Sequence, residues 1–234
     1  MSGQNARNLP VLAASEARTR KMRSAGFVMD KKINRREREK LRHRREILNA
    51  AEAVFAEKGF HRSTMEDVAA RSEFSVGTLY NCFPGKEDLY RTLIEQRCSQ
   101  LRDEVNQALD QATDPAASIR TYIESKIDLC LKYVNFITLY TRERLGDRFS
   151  DNELWWETVE PIYGDVMDRM TRIFQTGIEQ GCFRADIDPN EMAIALEGLT
   201  DGFMYEWLMF PDKFSFKDKL EPMICLFFKG ICKE

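Results

Sequence analysis

Val76, Thr78 and Asn81 are side chains of the kinds that read DNA base edges, and they fall within one short stretch. A threonine hydroxyl and an asparagine amide hydrogen-bond base edges, and a valine meets a thymine methyl. Gly77 among them has no side chain and lets the backbone come close. Such a set needs a rigid mount, and the flanking residues carry the signals for one. Thr64 has the hydroxyl of a helix N-cap, and Asp67 three residues on comes close to completing a capping box. Val68 and Ala69 then face inward, the chain turns over Ser72 to Phe74 with Phe74 plugging the angle, and Ser75 N-caps a second helix. Two short helices broken by a tight turn make a helix-turn-helix pattern. In such a unit the second helix enters the major groove with its N-terminal residues toward the bases.

Other chemistries find little footing. The six cysteines, Cys82, Cys98, Cys130, Cys182, Cys225 and Cys232, contain no CxxC pair, which argues against a zinc site and a disulfide framework; most are read as small buried hydrophobes. The two histidines, His43 and His61, both fall near the helix-turn-helix, and the rest of the chain has no metal-ligand spacing or nucleophile motif. No enzyme, metal or cofactor is expected.

With 234 residues, 43% apolar and 31% charged, the chain reads as a globular protein of one or two domains. No run approaches the roughly 20 apolar residues of a membrane span, and Leu9 to Ala14 is too short for a signal-peptide core. A cytoplasmic protein without a membrane partner is expected. The net charge of −3 conceals a division: residues 1–62 hold 16 Lys+Arg against 7 Asp+Glu, leaving −12 on the remainder. A basic end on an acidic body suits a phosphate-binding module.

Three segments follow. Residues 1–34 are read as a flexible basic tail, in which Met29 is a candidate physiological start; residues 35–88 as the DNA-binding domain; residues 89–234 as a helical body. Charge of both signs is dense from Lys31 to Arg45, and a helical stripe then runs through Ile47, Leu48, Ala51, Val54 and Phe55. Gly59 ends it in a left-handed C-cap, with Phe60 folding back. Arg44, with Arg42 and Arg45, is placed for backbone phosphates or for a solvated face. Lys86 sits at a helix N-terminus, where a cation opposes the macrodipole, so it is expected to serve something outside its helix, such as a phosphate.

The run from Arg45-Glu46-Ile47-Leu48 through Phe55, Gly59-Phe60, Thr64, Val68-Ala69, Ser75-Val76-Gly77-Thr78-Leu79-Tyr80, Phe83 and Lys86-Glu87-Asp88-Leu89 resembles the DNA-binding domain of the TetR family of bacterial transcriptional regulators, over about residues 42–90. The resemblance implies an all-α protein: a three-helix head with a recognition helix over roughly Ser75 to Phe83, and a larger helical domain that dimerises and binds a small molecule. It puts Val76, Gly77, Thr78 and Asn81 at bases, and Tyr80, Lys86 and the Thr64 cap at phosphates. For Tyr80, packing of its ring in the core is the other reading. Two departures stand out. Ser72-Glu73 replaces the family's frequent Ala-Gly, so a non-glycine residue must take positive φ, and its carboxylate opposes phosphate unless it turns away or pairs with Arg71. Glu66 stands where some relatives carry a base-reading cation.

Beyond Leu89 the sequence is a succession of helical stripes. A long helix runs through Leu93, Ile94, Leu101, Val105 and Leu109. Asp114-Pro115 starts another, with Ile119, Tyr122, Ile123, Ile127, Cys130, Leu131 and Val134 on its stripe. Phe136 to Leu145 ends near Gly146; Asp151 or Asn152 caps a long helix reaching Gly181, bent near Pro161. The last two, roughly Pro189 to Phe210 and Phe216 to Cys232, are apolar on more than one face and need a second partner. Leu199, Gly202, Phe203, Trp207, Met223 and Phe227 are expected at the two-fold interface that the resemblance implies, the alternative being a deeper core. Phe136, Tyr140, Trp155, Tyr163, Met167, Met170, Phe174 and Phe203 either line a cavity for an apolar ligand or simply pack. The expected protein is a ligand-responsive homodimeric regulator, more a repressor than an activator. Its expected partners are a palindromic double-stranded DNA operator, a second copy of itself and a small apolar or amphipathic effector.

Overall fold

The structure, a computed structural model, describes residues 34–145 and 153–232, with the backbone alone at residues 144–145 and 153–156. Among the described residues the fold is all-α: α1 Arg35–Lys58, α2 Met65–Ser72, α3 Val76–Cys82, α4 Lys86–Leu109, α5 Pro115–Lys132, α6 Val134–Leu145, α7 Glu153–Glu179, α8 Pro189–Met209 and α9 Leu220–Ile231. The tail and Met29, the helix end at Gly146 and the cap at Asp151 or Asn152 lie outside the described residues.

Two compact units divide at Arg42 and His43. In the first, Asn34 and Glu37 cap the start of α1 reciprocally, the carboxylate accepting from Asn34 N at 3.2 Å and Asn34 Oδ1 from Glu37 N at 2.8 Å. In the second, His43–Glu234, the apolar stripes meet in one continuous core. Ile47, Leu48, Ala51, Val54 and Phe55 of α1 are buried as their spacing requires. Gly59 takes φ 78°, and Phe60 turns back so that its ring lies 4.5 Å from that of Tyr90 on α4. Only glycine holds that conformation without a Cβ clash. Asp114 caps α5 by accepting from Ala117 N at 2.8 Å, with Pro115 at the first helical position.

The body is built around α4, which packs on α5 and α7; α7 packs on α8, and α9 on α5 and α8. Four boundaries and orientations differ from the periodic reading. α5 stops at Lys132 with Tyr133 as its C-cap, so Leu131 and Val134 turn outward and Leu129 goes inward. α7 ends at Glu179, and Gly181 follows at φ 73°. A 3-10 turn, Lys217–Lys219, precedes α9, whose first residue is Leu220. Among the cysteines only Cys98 and Cys130 are buried; Cys182, Cys225 and Cys232 are exposed.

Candidate nucleic-acid interface and apolar cavity

Caps hold α2 and α3 in place. Thr64 Oγ1 accepts from Asp67 N at 3.1 Å while the Asp67 carboxylate accepts from Thr64 N at 3.0 Å, a full capping box that satisfies two orphan donors. Lys58 donates to the same carboxylate and, with the Thr64 backbone bond, holds it below the usual carboxylate range. α2 closes on Glu73 at φ 58°, ψ 23°, the left-handed residue that the turn requires where glycine is lacking. Arg71 binds the Glu57 carboxylate through both oxygens, at 2.8 and 2.7 Å, rather than Glu73.

Ser75 Oγ accepts from Thr78 N at 3.1 Å and shares a 2.8 Å hydrogen bond with the Thr78 hydroxyl. Leu79 and Phe83 anchor the inner face of α3, at 0% and 1% exposure. Gly77, Tyr80 and Asn81 face outward, and Val76 and Thr78 are half-buried. Tyr80 is 51% exposed, so its ring is not a core element.

Arg44 and Lys86, both expected at phosphates, are bonded within the fold. Arg44 donates to Cys82 O at 2.6 Å and Thr92 Oγ1 at 3.4 Å, and its guanidinium lies 4.0 Å over the Phe83 ring. Cys82 is the last residue of α3, where carbonyls lack helical partners and a cation suits the dipole. Arg44 thus fastens α3 to α1 and α4. Lys86 does serve something outside its helix, as its position demands. That something is a pair of carbonyls, Phe60 O and Ser63 O, each at 2.9 Å, with the Phe60 ring 4.4 Å away.

From this head a chain of polar side chains runs into the body. Glu52 of α1, 6% exposed, accepts from Arg97 Nε at 2.6 Å, and Arg97 also donates to Asn49 and Gln100. Gln100 donates to Tyr133 OH at 2.7 Å, and Glu104 accepts from Gln100, Tyr133 and Lys132. Burial pushes the Glu104 carboxyl up, but these donors outweigh it and hold it below the ordinary range. The chain ends at Tyr133, the joint between α5 and α6.

Beside that joint lies a cavity of about 140 Å³ between α4, α5, α6, α7 and α8. Of the residues named for a ligand pocket, Phe136, Tyr140 and Tyr163 line it. Other expected lining residues go elsewhere, because the helix stripes that carry them point into packed contacts. Met170 and Phe174 are core, with Phe174 against Phe183 and Phe227. Phe203 packs on Phe214, and Met167 packs against the core away from the cavity. The Trp155 side chain lies outside the described ones.

The cavity lining also carries a polar cluster that hydrophobic periodicity does not announce. Lys126 pairs with Glu197 at 2.8 Å and Asp201 at 2.9 Å, and Tyr122 OH donates to Glu197 Oε2 at 2.6 Å. Burial pushes the Lys126 ammonium down, but Glu197, Tyr122 and Asp201 outweigh it and hold it well above the usual lysine range. Burial and Glu197 raise Tyr122 as well, so the lysine stays charged and the phenol stays a donor. The signal was present: Glu197 and Asp201 lie four apart on the stripe of Ala193 and Met204, and Tyr122 and Lys126 four apart beside Ile123 and Ile127. Cys98 and Cys130 also line the cavity, and burial pushes both thiols up to about 12, which leaves them unreactive.

The surface of α8 and α9 also departs from expectation. Met223 and Phe227 are 0% and 6% exposed and turn into their own protomer. Leu199, Phe203 and Trp207 are half-buried and packed against the core, and Gly202 is exposed with open space around it. Ile194 and Met209 of α8 and Leu226 of α9 are exposed, at 55%, 70% and 59%.

Two family models match the chain: the one described as bacterial regulatory proteins of the tetR family over residues 47–93, and the C-terminal region of MAATS-type transcriptional repressors over residues 157–231. The HTH-type transcriptional regulator YfiR of Bacillus subtilis is 29% identical over 188 residues, covering 79% of this chain and 88% of that one. The MbdR regulator of Azoarcus sp. CIB has a similar fold, with a TM-score of 0.72 at 20% identity over 80% of this chain and 98% of that one. The transcriptional regulator FadR of Bacillus subtilis, solved in complex with stearoyl-CoA, gives 0.68 at 22% identity over 80% and 98%.

Proposed function

This chain belongs to the TetR family of DNA-binding transcriptional regulators, and from that premise we propose that it is a homodimeric repressor released from its operator by a small effector. The observation that carries the reading is the mounting of α3. Its inner face is anchored by Leu79 and Phe83, its ends are held by Ser75 and Arg44, and its outward face offers Gly77, Tyr80 and Asn81 with Val76 and Thr78 at the edge. We assign base contacts to Val76, Gly77, Thr78 and Asn81 and phosphate contacts to Tyr80, the Thr64 cap and Lys86. An ammonium has three donors, and the two carbonyls that Lys86 holds leave it one for a phosphate. Arg44 and Ser75 act by setting the helix.

The head, residues 35–88, is proposed to move with α4 when the body, residues 89–234, takes its effector. The cavity abuts the α5–α6 joint, and the polar chain from Tyr133 through Gln100 and Arg97 to Glu52 supports a route to α1. An effector that prefers one arrangement of this linkage shifts operator affinity by about 1–3 kcal/mol, the usual scale of such coupling.

Selection of bound duplexes from a random DNA pool tests the reading. The expected product is a near-palindrome with half-sites about one helical turn, roughly 34–36 Å, apart. Thr78→Ala and Asn81→Ala should each change preference at one base position by about 1–3 kcal/mol. A pool that shows no enrichment, or single half-sites alone, would contradict the proposal.

A further inference from the structure

One donor on the cavity lining is left over. The Lys126 side chain of α5 is 15% exposed and meets two carboxylates of α8: its ammonium donates to Asp201 Oδ1 at 2.9 Å and lies 2.8 Å from Glu197 Oε1. An ammonium carries three N–H donors and no acceptor. The three diverge tetrahedrally from one nitrogen, so with two of them engaged on α8 the third is directed away from both carboxylates. The neighbouring lining side chains of α5 and α6, Leu129, Cys130, Phe136 and Ile137, offer it no strong acceptor, since three are hydrocarbon and burial keeps the Cys130 thiol protonated. A partner for this donor has to come from what enters the cavity.

The walls and the charge of the cluster narrow the kind of acceptor. Val159, Ile162 and Val166 of α7 complete an apolar lining that opens to solvent, so the cavity takes an apolar body without a tight limit on its length. By formal charge, Lys126 between Glu197 and Asp201 leaves one negative charge in excess. An anionic head would add to that excess and give up its hydration against apolar walls. An ammonium head would meet a like charge at Lys126 and has no lone pair to accept from it. A neutral carbonyl accepts the donor at little desolvation cost, and a hydrogen bond from a charged donor is roughly twice as strong as a neutral one. Arg102, the other cation on the lining, is engaged by Asp103 at 3.1 Å and Asp165 at 3.5 Å.

We propose that this cavity takes an apolar molecule carrying a neutral carbonyl, as in a ketone or an ester, whose oxygen accepts a hydrogen bond from Lys126 Nζ. The consequence for transcription rests on the effector-released reading above; the binding does not.

Three probes of matched size separate the head groups: 4-phenyl-2-butanone, 4-phenylbutan-2-amine and 3-phenylpropionate, each titrated calorimetrically into the full chain at neutral pH. The ketone should bind saturably, with the amine and the carboxylate weaker by about tenfold or more, the scale of a hydrogen bond to a charged group. Carbon-13 NMR of the ketone, labelled at its carbonyl, reads the contact itself. The bound resonance should lie downfield of its position in hexane, because donation to the oxygen draws electrons from the carbon. In Lys126→Met, with melting curves recorded to confirm folding, that displacement should vanish and ketone affinity should fall by about tenfold. If the unpaired carboxylates unfold that variant, Lys126→Met combined with Glu197→Gln and Asp201→Asn is read in the same way. Tighter binding of the amine or the carboxylate than of the ketone, no saturable heat from the ketone at millimolar concentration, or a bound carbonyl resonance at its hexane position overturns the proposal. So does a resonance and an affinity that Lys126→Met leaves unchanged. Operator mobility shifts with the ketone are scored separately: saturable binding that leaves the operator complex intact supports the site and counts against effector release.

Discussion

Glu73 is the one non-glycine residue with positive φ among the described residues, and it stands in the turn leading into α3. A Cβ in that conformation costs about 1–2 kcal/mol, partly offset in any glycine variant by the greater freedom of the unfolded chain, about 0.5–1 kcal/mol. Glu73→Gly should therefore raise stability by roughly 0.5–1 kcal/mol in urea denaturation. The same change should tighten operator binding, most visibly at low salt, because it removes an anion near the proposed phosphate contacts. A less stable variant would show that the Glu73 side chain contributes more than its backbone strain removes. Other single residues show where sequence reasoning stops. That Lys86 and Arg44 are cations at a helix start and in a basic run is plain from composition. That they hold Phe60 O, Ser63 O and Cys82 O depends on chain segments 23 to 38 residues away.

Among the elements, α7 and its exit turn depend on a close approach. A Cβ at Gly177 would lie 2.2 Å from two ring carbons of Phe183, itself 2% exposed and packed on Phe174 and Phe228. The turn is also tied back by Cys182 N and Phe183 N, which donate to Gly177 O at 2.9 and 3.2 Å. Alanine gains about 1 kcal/mol of helix propensity, but displacing a packed ring costs about 1–3 kcal/mol. Gly177→Ala should therefore lower the melting temperature. Gly198→Ala, where a Cβ meets nothing within 4 Å, should leave the protomer as stable or up to about 1 kcal/mol more so. Equal effects at the two glycines would refute the close approach. α8 teaches a related lesson. Its sequence is apolar on more than one face, which calls for a second partner, yet Glu197 and Asp201 on its inner stripe pair with Lys126.

For the whole molecule, the proposed two-fold partner decides what covers the outer face of α8 and α9. Leu226 at 59% exposure and Ile194 at 55% are the residues that an interface would bury, with Gly198 and Gly202 open between neighbouring turns. Leu226→Asp should weaken self-association by tenfold or more, about 1.4 kcal/mol, while the protomer stays folded. Met223→Ala, at a fully buried position, should instead cost the protomer about 2–5 kcal/mol. Sedimentation velocity and thermal melts on both variants separate the two roles, and a Leu226→Asp protein that associates like the parent would place the interface elsewhere.

By itself the sequence determined what short-range physics decides: the Thr64–Asp67 box, the Ser75 and Asp114 caps, the left-handed Gly59 and Glu73, and the helix-turn-helix that they frame. Those bonds join residues three or four apart, so pattern and spacing are enough. Only the tertiary structure decided which cations bond inside the head, which faces of α8 and α9 stay open, and that a lysine and two carboxylates meet beside an apolar cavity. Lys126 and its acids lie more than 70 residues apart in sequence. A helical period records that a residue faces inward, but a charged residue on an inward stripe declares its role only when the opposing helix delivers the partner that offsets its desolvation.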